Sequence, residues 1–200
     1  ANMNSNELNN SLTHLALLLE DDSADYNVDL VVCGGAALIA CGLVSRVTKD
    51  VDVVALRDQS GALLSPAPLP KEVLEAAQRT ADDLGLPADW LNNGPSSGPG
   101  GLYQTGLPEG ILDRLHTVVF GSILTVHFVG RLDQICFKLY AAVDQMGSYH
   151  GQDLAALTPN LDELKFAIEW VKTQDSSEGF LQMLSLYLKS TGDDDAVQFI

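Results

Sequence analysis

The chain has 200 residues, a length for one domain or one domain with a helical appendage, and 46% of them are hydrophobic, enough for a sizeable core. Its 27 acidic residues against 11 basic ones give a net charge of -16. That balance excludes the clustered Lys and Arg of a general duplex-binding surface, although a single structured acceptor such as an RNA end stays open. The acidic stretches at residues 20–25 and 193–195 read as solvated loops or tails.

Residues 7–20 carry Leu8, Leu12, Leu15 and Leu19 at helical spacing. A Val-rich run at 29–33 predicts a buried strand, Gly34 and Gly35 a turn, and the small residues of 36–44 a helix packed closely on a sheet. A second strand is expected over 50–56 and a loop with three prolines over 58–70. The spacing predicts a helix over 71–84 with Val73, Leu74, Ala77, Ala81 and Leu84 on its inner face, and Gly85 as its C-terminal cap. Residues 86–110 form a long irregular segment rich in Pro, Gly, Asn and Ser, with Trp90 as its anchor in the core. Runs at 115–120 and 123–129 flank Gly121-Ser122 as a two-residue hairpin. An amphipathic helix follows over 132–146, with Leu132, Ile135, Cys136, Leu139, Val143 and Met146 on one face and Lys138 off it. Asn160 and Glu163 form a capping-box pattern for a helix to Lys172, and a last helix covers 177–190. No internal repeat is visible. The order predicts an α/β (α+β) fold with a small mixed sheet over residues 1–130 and a helical C-terminal section over 131–200.

The three cysteines, Cys33, Cys41 and Cys136, lie in apolar runs without a Cys-x-x-Cys pair. They read as buried thiols of a reducing compartment, not as a disulfide framework or a zinc site. The longest uncharged run, residues 30–45, is too short for a membrane span and contains three glycines. Ala1 and Asn2 precede Met3 as an expression remnant would, and no basic segment leads into an apolar core. A cytoplasmic location is the expectation.

The chemistry concentrates at residues 33–53. Asp50 and Asp52 are two apart on a predicted strand, so both side chains point to one face. Two like charges there suit a cation, and Mg²⁺ takes one or two carboxylates plus waters and substrate phosphates. The plain alternative has Asp50 ending a loop and Asp52 solvent-exposed. Gly34 and Gly35 precede a helix, whose N-terminus favours anions. Their plain alternative is a tight strand-to-helix turn. The spacing matches neither a P-loop nor the dinucleotide fingerprint. Arg46 and Lys49 flank the aspartates in a chain with few cations. They either pair with Asp50 or Asp52 or meet phosphate, with phosphate the favoured partner for Arg46. His14, His116 and His150 have no metal spacing, and no Ser-His-Asp arrangement is legible.

Strand, Gly34-Gly35, helix, then a strand with Asp50-Val51-Asp52 resembles the nucleotidyltransferase superfamily, the polymerase-β-like fold. The string Gly34-Gly35-Ala36-Ala37-Leu38, Gly42, Arg46, Thr48 and Asp50-Val51-Asp52-Val53 is similar to the branch that includes the AbiEii-type toxins. It is most like a group of uncharacterised bacterial proteins in that branch. Residues 86–94, with Leu86-Pro87, Asp89 and Trp90-Leu91-Asn92, resemble a further segment of this group. So do Lys138-Leu139 with Ala141, and Gln152-Asp153-Leu154. The likeness spans about residues 5–175. It departs at Asp144-Gln145, where the family often has Arg, and at Ala156, where it has a second Asp. A third carboxylate is common on a later strand of polymerising members. The run at 123–129 has none, and His127 is its one titratable group.

The resemblance implies a Mg²⁺-dependent enzyme, with Mn²⁺ able to stand in, that moves a nucleotidyl group from an NTP to an acceptor. The acceptor would be RNA, a protein or a small molecule, and a toxin-like role would bring a protein partner. Asp50 and Asp52 would be catalytic and hold the metal. Gly34, Gly35, Arg46 and Lys138 would bind nucleotide, and Asp153 would be a further site residue. The alternative is a catalytically inactive protein of the same fold that binds a nucleotide or a protein. A metal-dependent phosphohydrolase fits less well, because no His-Asp cluster is visible in the sequence.

Overall fold

The leucine stripe of the first helix is met by a mixed sheet. The structure, a computed structural model, describes residues 2–22 and 26–200. Ala1 and residues 23–25 of the first acidic stretch lie outside the described residues. Helix α1 (Ser5–Asp21) opens with a capping box between Asn4 and Glu7. Strand β1 (Val28–Cys33) runs directly into a short helix α2 (Gly34–Ala40). Strand β2 (Val51–Arg57), the two-residue strand β3 (Leu63–Leu64), helix α3 (Lys71–Leu84) and the two-residue strand β4 (Leu91–Asn92) follow. A short helix α4 (Leu102–Thr105) precedes the hairpin of β5 (His116–Phe120) and β6 (Leu124–Phe128). The last third holds α5 (Arg131–Asp144), α6 (Tyr149–Leu157), α7 (Leu161–Gln174) and α8 (Glu178–Ser190).

The chain divides into two compact units, Ala1–Leu107 with Leu115–Gly130, and Pro108–Arg114 with Arg131–Ile200. In the first, the strand order is β3-β2-β1-β6-β5, with β4 also on β2. The β1–β6 and β2–β4 pairings are parallel, and the others are antiparallel. Leu30, Val32, Val51, Val53, Val126 and Phe128 pack in one core with Leu8, Leu12, Leu15 and Leu19 of α1 and Val73, Ala76 and Ala77 of α3.

Register decides which residues reach that core. Val31 pairs with Ala55 but Val32 pairs with Val53, so Val54 is an extra residue opposite β1. A bulge of this kind exchanges the faces of everything beyond it. It turns Val51 and Val53 to the core and leaves Asp52, opposite Cys33, on the other face. That second face also carries Asp29, Val31, Thr125, His127 and Thr117, by their pairing across β1, β6 and β5.

Several expectations change. The inner face of α3 is Val73, Ala76, Ala77, Thr80 and Ala81, while Leu74 and Leu84 are exposed. Small residues at this spacing form a narrow stripe, and Leu74 and Leu84 fall outside it. The hairpin loop has three residues, since Phe120 pairs with Leu124. Residues 149–157 are helical although no stripe announced them, and Asp194 and Asp195 lie in a 3-10 turn, Asp194–Phe199. Cys33 and Cys136 are buried but Cys41 only partly, and all three are free thiols. Burial pushes the Cys41 and Cys136 thiols up, which keeps them protonated. Among the described residues no helix is long and apolar enough to cross a membrane.

Trp90 anchors the irregular segment as expected. It is fully buried, its indole N–H donates to the Ala77 carbonyl at 2.9 Å, and its own carbonyl accepts from the Val51 N–H at 2.5 Å. Trp90→Ala should destabilise the protein by about 3–5 kcal/mol, measured by denaturant unfolding. Trp90→Phe should cost less, about 1–3 kcal/mol, from the lost indole hydrogen bond and the space left by the smaller ring.

Candidate functional site

At the carboxyl end of β1 the chain turns into α2 with no side chain on two successive residues. Gly34 has φ +68°, a left-handed conformation that favours glycine. A methyl group on it would lie 2.6 Å from Asp52 Oδ2, so the Asp52 carboxylate rests against the bare backbone. A methyl group on Gly35 would lie 2.8 Å from Thr48 Oγ1 and 2.9 Å from an Arg46 guanidinium nitrogen. A carboxylate and a guanidinium therefore converge on one Gly-Gly turn. Helix α2 is only seven residues long, so its dipole adds little to anion binding. Whatever anion affinity the turn has comes from backbone access and Arg46.

The loop that carries Arg46 is fixed from an unexpected quarter. Met3 and Thr48 exchange two backbone hydrogen bonds, Met3 N–H to Thr48 O at 2.6 Å and Thr48 N–H to Met3 O at 2.9 Å. Thr48 is buried, and its hydroxyl donates to the Asp50 carbonyl at 3.1 Å. Arg46 Nη1 donates to the Val47 carbonyl at 2.8 Å. Asp50 stands just before β2, not within it, so the expectation of two acids on one strand holds for Asp52 alone. Both acids are half-buried. On its far side, Asp52 pairs with Asn92 of β4. The Asn92 and Asn93 side chains brace their own loop: Asn92 Oδ1 accepts from the Gly94 N–H at 2.8 Å, and Asn93 Nδ2 donates to the Pro66 carbonyl at 2.9 Å.

Mg²⁺ and Mn²⁺ take one or two carboxylates from protein alongside waters and phosphate, the side-chain type of Asp50 and Asp52, of which Asp52 is the one set against the Gly34 backbone. No cluster of three or more His, Cys, Asp or Glu exists among the described residues.

His127, the titratable group on β6, is committed to neighbours on its own sheet face. Its Nε2 lies 2.8 Å from Asp29 Oδ1 and its Nδ1 lies 2.8 Å from Thr117 Oγ1. It sits opposite Val31, whereas Asp52 sits opposite Cys33 on the next strand. Two strand spacings and two residues of rise separate the His127 and Asp52 backbones by roughly 12 Å. His127 does not supply the missing third acid at Asp52.

Lys138 and Asp153 belong to the helical unit. Lys138 lies off the apolar stripe of α5, as its spacing predicts, yet is buried because nearly the whole circumference of that helix is covered. Its ammonium is 2.9 Å from Asp153 Oδ2, with both side chains 5% exposed. It also lies 3.2 Å from His150 Nδ1 and 5.2 Å from the centre of the Tyr149 ring. An ammonium only donates, so His150 Nδ1 accepts and its proton sits on Nε2. A second buried pair escaped the sequence: Arg114 grips the fully buried Asp133 with two hydrogen bonds of 2.8 Å.

Compared with family models, with curated proteins and with solved structures, the chain finds no match.

Gly34→Ala should cost about 2 kcal/mol or more in denaturant unfolding, from the left-handed φ and the displaced Asp52. Gly85→Ala is the control. Gly85 has the same φ of +68° but nothing within 4 Å, so it should cost only about 1 kcal/mol. Lys138→Met should destabilise by about 3–5 kcal/mol because it strands a buried carboxylate. Adding Asp153→Leu should recover much of that loss, a non-additivity read from a double-mutant cycle.

Proposed function

We propose that the protein is a Mg²⁺-dependent nucleotidyltransferase of the polymerase-β-like fold. It would move a nucleotidyl group from an NTP to a hydroxyl of RNA, a protein or a small molecule. The observation that carries this reading is the convergence of Asp52 and Arg46 on the Gly34-Gly35 turn. A metal-bound phosphate needs a carboxylate for its cation and a cation for its oxygens at one place, and few turns bring both against bare backbone.

In this reading Asp50 and Asp52 hold the divalent ion. When bound, that ion offsets charge on the phosphates and polarises the α-phosphate. Arg46 pairs with phosphate oxygens, and the bare backbone of Gly34 and Gly35 lets the phosphates come close. The pairing of Thr48 with Met3 holds the Arg46 loop in place, which limits the reorganisation needed on binding. Lys138 and Asp153, offered by the resemblance as nucleotide-binding and site residues, satisfy each other in the helical unit, so the reading rests on the first unit's residues. A toxin-like role remains part of the resemblance and would bring a protein partner.

A second reading, a nucleotide- or protein-binding module without turnover, is favoured by one observation. Strand β6 offers no carboxylate, and both ring nitrogens of His127 are taken.

Two measurements separate these readings. With Mg²⁺ and the right NTP at about a hundredfold over its Kd, the melting temperature should rise by about 5 °C or more, and Asp50→Asn with Asp52→Asn should abolish the rise. Incubation with α-labelled NTPs and cell extract should then move label to an acceptor, with Asp52→Asn reducing transfer at least about 100-fold. Stabilisation without transfer supports the binding module. No shift with any of the four NTPs at millimolar concentration sinks both nucleotide readings.

A further inference from the structure

The second face of the sheet holds a hydroxyl, an imidazole and a carboxylate in line, from three adjacent strands. Thr117 is on β5, His127 opposite it on β6, and Asp29 on β1. Both hydrogen bonds are 2.8 Å. The side chains of His127 and Asp29 are 6% and 24% exposed, while Thr117 at the sheet edge is exposed.

Chemistry fixes the proton positions along this line. An ionised carboxylate only accepts, so Asp29 requires the proton of His127 on Nε2. Nδ1 then carries a lone pair, and the Thr117 hydroxyl is the group that donates to it. A nucleophile within reach of a base, with the base oriented by a third group, is the arrangement that activates hydroxyl nucleophiles. The nitrogens are exchanged relative to the familiar order, with no change in the logic.

We propose that Thr117 is a nucleophile for activated carboxylic esters, with His127 as its general base and Asp29 as the positioning residue. Thr117 Oγ attacks the acyl carbon as its proton passes to His127 Nδ1. The bond from acyl carbon to leaving-group oxygen breaks, and the leaving group departs with its electron pair and takes up the proton. An acyl-Thr117 ester results. Water then attacks that ester, with His127 removing its proton and returning one to Thr117 Oγ, and the free acid is released. Activated esters suit the site because a stable leaving group lowers the demand on other parts of the machinery. Val119 lies on the same face one pleat along β5 and is 66% exposed, an apolar seat for a short acyl chain. This activity uses neither an NTP nor a metal and stands apart from the Asp52 site.

The test is incubation of the full chain with p-nitrophenyl acetate, following p-nitrophenolate release and mapping acetylation by peptide mass spectrometry. The expected result is acetyl on Thr117, lost in Thr117→Val and kept in Thr117→Ser. His127→Gln should slow acetylation by about 100-fold or more, in line with general-base catalysis. Asp29→Asn should slow it about 10-fold or more, with Asp29→Glu restoring it. Thermal melting identifies any variant that fails to fold, and Thr117→Val against Thr117→Ser then decides alone. No acetylation of Thr117, or acetylation at an unchanged rate in a folded His127→Gln, overturns the proposal.

Discussion

One extra residue in β2 governs where the chemistry of the first unit points. Val54 has no partner of its own on β1, and this shifts the register between Val31 and Val32. Without the shift, strict alternation would turn Asp52 into the leucine-lined core and Val53 out of it. With it, Val51 and Val53 join the core, and Asp52 stands beside Cys33 on the opposite face, against Gly34. A carboxylate in that core would face several kcal/mol of desolvation without a partner, so the bulge belongs to the site as much as the acid does.

The same opposite face collects the polar residues of the sheet. Asp52 lies toward one side and the Asp29–His127–Thr117 line toward the other. Antiparallel hairpin pairing sets Thr117 opposite His127, and parallel pairing of β6 on β1 sets His127 opposite Val31, on the same face as Asp29 and within diagonal reach of it. The two groups of residues need different things. The Gly-Gly turn requires bare backbone so that Asp52 and Arg46 can approach, whereas the His127 line requires only correct register across three strands.

In the helical unit, charge is handled by burial in pairs. Lys138 with Asp153 and Arg114 with Asp133 each place opposite charges in contact where solvent is largely excluded. Such pairs contribute little net stability compared with apolar packing but penalise any arrangement that separates them. They define how α5 meets α6 and the segment before β5, and they account for polar residues on a helix with almost no solvent-facing side.

Much of the fold was legible from local pattern. The leucine stripe of α1, the bounds of α3, its Gly85 cap and the Asn160–Glu163 capping box all follow from spacing and side-chain chemistry within one turn or two. The Gly34-Gly35 turn and the Asp50-Val51-Asp52 run were equally plain as candidates. What the sequence left open depends on residues far apart along the chain. The bulge at Val54 is a pairing property with no mark in composition. Met3 bracing Thr48, Lys138 finding Asp153, and His127 joining Asp29 to Thr117 arise only when strands and helices are packed. Local propensity thus determined the elements and the residue types on offer. Tertiary structure decided which of them share a face, because register and burial are set by partners that no short window of sequence contains.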